Sequence, residues 1–63
     1  MLPEVMKRWI HKWVSSELAR GNRSRIVEHM SNVVENFYQD GPPGDYGRGD
    51  VREEIERALG KED

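Results

Sequence analysis

Along the first third of the chain, apolar residues fall at Leu2, Val5, Met6, Trp9, Ile10, Trp13 and Val14, the i, i+3, i+4, i+7 spacing of one helix face. This predicts an amphipathic helix over about residues 3–20. Pro3 suits its first turn, where a missing N–H costs nothing, and Glu4 to Arg8 adds a favourable pair one turn apart. Glu17 lands on the apolar stripe, so the buried face is expected to end before the helix does. Gly21-Asn22 supplies a stop. The pattern restarts near Arg23 with Ile26, Val27, Met30, Val33, Val34, Phe37 and Tyr38, predicting a second helix over about 23–38. A connection as short as Gly21-Asn22 favours antiparallel neighbours. The two stripes are therefore expected to meet as a hairpin, with Trp9 and Trp13 against Phe37 and Met30.

Residues 39–49 hold four glycines and two prolines, a density that neither a helix nor an interior strand tolerates, and read as a loop. Asp50 then offers a capping carboxylate, with Glu53 as its capping-box-like partner. Val51, Ile55, Ala58 and Leu59 form a narrow stripe for a short third helix over 51–59, with Glu53 to Arg57 on its exposed side and Gly60 as the stop. No segment alternates apolar and polar residues over a strand length, and no internal repeat is visible. The expected fold class is all-α: a helical hairpin of two long amphipathic helices plus a short third helix after a Gly/Pro-rich loop. One domain, residues 1–63, is expected, self-associating as a small bundle.

Self-association enters because of size. A chain of 63 residues buries only about 60% of the surface its unfolded form exposes. Such chains usually add disulfides, a metal, very regular helix packing or oligomerisation. There is no cysteine, which excludes disulfides, thiolate metal sites and thiol nucleophiles. No apolar run has the length to cross a bilayer, and the N-terminus lacks the basic-then-apolar pattern of a signal peptide, so a cytoplasmic protein is expected. Net charge is −2, divided unevenly. Residues 1–30 carry six basic and three acidic side chains, +3; residues 31–63 carry four and nine, −5. If the halves stay apart, the molecule is electrically polarised.

Catalytic chemistry finds little to stand on. His11 lies nearly opposite the Trp9/Trp13 stripe and His29 at the edge of the second stripe, not spaced as a metal pair, and no nucleophile with an orienting carboxylate accompanies either. Asp50, Glu53, Glu54 and Glu56 lack the alternating oxygen ligands of a calcium loop and read as a solvated helix face whose charges complement the macrodipole. The loop has the glycine spacing of collagen for too few triplets, and Arg48-Gly49-Asp50 resembles the integrin-recognition tripeptide, although Asp50 is needed as a cap. No catalytic residue, metal ligand or cofactor is expected.

Two binding readings remain. Trp9 and Trp13 beside Lys7, Arg8 and Lys12 have the composition of a membrane-surface helix or of a helix that docks in a partner's groove, yet the matching second stripe favours burial within the chain or a dimer. The leading expectation is a non-enzymatic protein–protein interaction module, an adaptor, regulator or inhibitor, binding itself or another protein through Trp9, Trp13, Met30, Phe37 and Tyr38. The alternative is a small nucleic-acid-binding regulator using Arg20, Arg23 and Arg25, with Lys7, Arg8 and Lys12, on phosphates. Here Pro3-Glu4-Val5 is similar to the start of the first helix of ribbon-helix-helix repressors, and Gly21-Asn22-Arg23-Ser24 resembles their inter-helix turn. Those repressors read DNA with an N-terminal strand, and only Met1 and Leu2 precede Pro3.

Overall fold

A computed structural model of the chain describes residues 1–61 and contains four helices: α1 (Glu4–Ala19), α2 (Arg23–Glu28), α3 (Met30–Asp40) and α4 (Arg48–Lys61). All described secondary structure is helical, as the spacing predicts. Helix α1 starts just after Pro3, whose carbonyl accepts bonds from the amides of Met6 and Lys7 at 3.1 Å. At its other end Gly21 takes φ +78, the left-handed region that a β-carbon disfavours. The Gly21 amide then reaches the Leu18 carbonyl at 3.0 Å and the Asn22 amide reaches that of Glu17 at 3.0 Å, the paired bonds of a Schellman stop.

The expected second helix is divided. His29, at φ −107 and ψ 28, separates α2 from α3. Its own amide and carbonyl keep their helical bonds, to the Arg25 carbonyl and from the Val33 amide, each at 3.0 Å. Neither proline nor glycine marks the break. The two pieces pack on different partners, α2 on α1 and α3 on α4, and the kink serves both.

The largest departure concerns the last helix. It begins at Arg48, three residues ahead of the expected 51, and runs through Gly60 to Lys61, so Gly60 is no stop. The loop is accordingly shorter than 39–49, spanning residues 41–47. Asp50 is not the cap: it sits in the first turn and its carboxylate accepts the Gly47 amide at 3.1 Å, the reach-back half of a capping box. Glu53 pairs with Arg57 instead, at 3.2 Å.

Val51, Ile55, Ala58 and Leu59 are all buried, and α4 packs on both α1 and α3. The core is therefore not a two-helix seam. Met6, Ile10 and Val14, one line along α1, are completely enclosed with Val51 and Ile55, and Leu2, Ile26, Met30, Val34 and Phe37 complete the cluster. Gly41 closes the far end. A β-carbon there would run into the Met6 methyl and lie 2.8 Å from the Phe37 carbonyl, so the chain leaves α3 where only glycine fits without displacement. The loop is tied by the Tyr46 hydroxyl, which donates to the Pro42 carbonyl at 2.5 Å, and by the N-terminal ammonium, which donates to the Asp45 carbonyl at 2.6 Å.

Candidate functional site

With α4 holding α1 and α3 from one side, the opposite side of that pair is left open. On α1 the side chains flanking the enclosed line are Trp9 and Trp13, one turn apart. Both rings stand edge-on to Phe37 of α3, with centroids 5.0 and 5.5 Å away and interplanar angles of 84° and 79°. This geometry suits the aromatic quadrupole. Trp9 keeps 42% of its surface in solvent, and Val5, one turn before it, 61%. The rings form the floor of a trough bounded by Val33, Asn36 and Asp40, with a volume of about 190 Å³.

That trough does not end at the rings. Trp13, Val33 and Asn36 also border a second depression, which continues past Glu17 and His29 to Arg20, Asn22 and Arg25. One face of the molecule thus runs from Asp40, over an aromatic centre, to two arginines. Glu17 accepts the Asn22 side-chain amide at 2.8 Å and is 3.4 Å from the Arg20 guanidinium, which answers for its place on the stripe: a half-buried carboxylate tied to the turn.

Of the five side chains expected at an interface, Trp9, Trp13 and Phe37 are brought together here. Met30 is buried in the core as Phe37 is, but unlike Phe37 it lines no part of the trough. Tyr38 faces the loop, its ring 5.9 Å from that of Tyr46 and 4.4 Å below the Arg48 guanidinium. The pattern of apolar residues could not separate these two from the rest, because the stripe of the second helix is wide and serves α4 and the trough with different edges. Val33 carries the aliphatic wall, and Asn36 and Asp40 the polar rim; as single polar residues on a helix they carry no signal of their own.

The basic side chains are dispersed. Arg20 and Arg25 border the trough, Arg23 lies beside Ser15, Leu18 and Ala19 and donates to the Leu59 carbonyl at 3.1 Å, and Lys7 and Arg8 line a depression around Glu54. Lys12 is exposed on α1. The six groups are divided among three depressions and the exposed side of α1.

Glu54 corrects the picture of a solvated acidic face. It is only 4% exposed, accepting from His11 at 2.5 Å and from Arg57 at 2.7 Å. Its position three residues after Val51 puts it on the α4 stripe, a signal present in the sequence. Burial pushes its carboxyl up, but the His11 hydrogen bond and the charges of Arg57, His11 and Lys7 outweigh that and hold it below the ordinary value. The cluster joins α1 to α4. Among the described residues, no three His, Asp or Glu side chains are grouped to hold a metal.

Arg48-Gly49-Asp50 is the first turn of α4 and not a presented loop. Arg48 grips Glu35 with two bonds of 2.5 and 2.9 Å, and Asp50 holds the Gly47 amide. No described helix is long and apolar enough to cross a membrane. No protein-family model matches the chain, and no curated protein or solved structure matches it significantly.

Proposed function

We propose that this chain is a non-enzymatic helical module of the cytoplasm, an adaptor or regulator, that binds a protein partner in the trough between α1 and α3. The observation that carries the reading is the placement of both tryptophans. They could have closed the core, yet Met6, Ile10 and Val14 do so, while Trp9 and Trp13 meet Phe37 in an open channel. Aromatic side chains such as the exposed Trp9, with the half-buried Trp13 beside it, are those from which interface energy chiefly comes.

Asn36 borders both halves of the trough. A photo-crosslinking amino acid at that position, irradiated in cells, is expected to give covalent protein adducts that disappear when Trp9→Glu is added while circular dichroism stays helical. Adducts that a nuclease removes would instead assign the surface to nucleic acid, and adducts indifferent to Trp9→Glu would sink the reading.

A further inference from the structure

We infer that the occupant of the trough is a second copy of this chain, related to the first by a two-fold axis through the aromatic centre. The inference rests on the docking reading above and specifies its partner. A two-fold interface presses one patch onto itself, so residue i meets j and j meets i. Most surface patches fail that condition electrostatically, since a patch of one sign repels its own copy. This one meets it. Asp40 stands at one end of the trough, Arg25 and the Glu17-paired Arg20 at the other, and Trp9, Trp13, Val33 and Phe37 between them. Turned over and reversed, the acidic end of each copy lies against the basic end of the other, and the aromatic centres superpose.

Asp40 supplies an independent reason. It is the last residue of α3, where the helix dipole is negative and a carboxylate is disfavoured. It has no ion-pair partner among the described residues. Elsewhere the described carboxylates of the helices are commonly paired: Glu17 with Arg20, Glu35 with Arg48, Glu53 and Glu54 with Arg57, Glu56 with Arg52. Among the described residues, Asp40 shares the lack of an ion pair with Glu4, Glu28 and Asp50, but of these four it is the one that borders the trough, where a guanidinium from the second copy gives it a partner. The same pairing brings the exposed edge of Trp9 toward the arginines of the other copy, an arrangement that cation–π attraction favours.

Charge reversal tests the register, because the two symmetric contacts respond together. In Asp40→Arg, both contacts of the dimer become cation against cation; in Arg25→Asp, both become anion against anion. Mixed in equal amounts, the two variants restore an attractive pair at each contact. Sedimentation velocity over a concentration series at low salt is expected to show a concentration-dependent dimer for the parent. Each variant alone should bind about tenfold or more weakly, and the mixture should return to the parent's affinity. Both positions are exposed, and circular dichroism on the same samples confirms that the fold is kept. A parent that stays monomeric, single variants that dimerise like the parent, or a mixture that stays dissociated each overturns the inference. A monomeric parent that still yields Trp9-dependent adducts in cells leaves the docking surface standing with a different protein in it.

Discussion

A buried carboxylate is among the costlier things a small core can hold, and Glu54 is kept there by His11 and Arg57. Its pKa lies below the ordinary 4.5, so the unfolded chain takes up a proton at this group before the folded one does. The stabilisation is complete above about pH 5 and is lost as pH falls through the lowered folded value. Urea unfolding at about pH 7 and about pH 3 is therefore expected to show a larger loss for the parent than for Glu54→Gln, which has no proton to gain. His11→Ala, at neutral pH, should cost about 1–3 kcal/mol by leaving one side of a buried acceptor bare. Equal acid sensitivity in parent and Glu54→Gln would show that other carboxylates carry the effect. The sequence holds half of this site openly: a glutamate on an apolar stripe asks for a partner, but that the partner is His11, 43 residues away, depends on α1 meeting α4.

Helix boundaries divide into those written locally and those imposed by packing. The end of α1 belongs to the first kind. Gly21 is legible as a stop, and it occupies the left-handed conformation the stop requires. Nothing lies within 4 Å of a β-carbon placed there, so Gly21→Ala tests conformation alone. It is expected to lower stability by about 1–2 kcal/mol with helix content unchanged, read from thermal unfolding. The break at His29 and the early start of α4 belong to the second kind. No residue at position 29 announces a kink; α2 and α3 separate because they pack on different helices. Arg48 and Gly49 look like loop by composition, yet Arg48 gains Glu35 and Tyr38 as neighbours once α4 begins there. Gly60, read as a terminator, is simply carried inside the helix.

For the whole molecule, the order of importance among the helices is the reverse of their apparent strength in sequence. The two long stripes suggested a hairpin with a minor third helix, whereas the most weakly patterned segment became the wall on which the other two rest. Val51, Ile55 and Leu59 alone bring roughly 5–9 kcal/mol of apolar burial. Residues 1–47 by themselves are accordingly expected to lose cooperative thermal unfolding; a sharp transition in that fragment would restore the hairpin as the folding unit. The placement of the tryptophans has an optical consequence. Both indoles of the chain border the trough and neither belongs to the enclosed line of α1. The protein thus carries its own emission label for that surface: covering the trough should move the fluorescence maximum to shorter wavelength at constant far-ultraviolet ellipticity, with no dye attached.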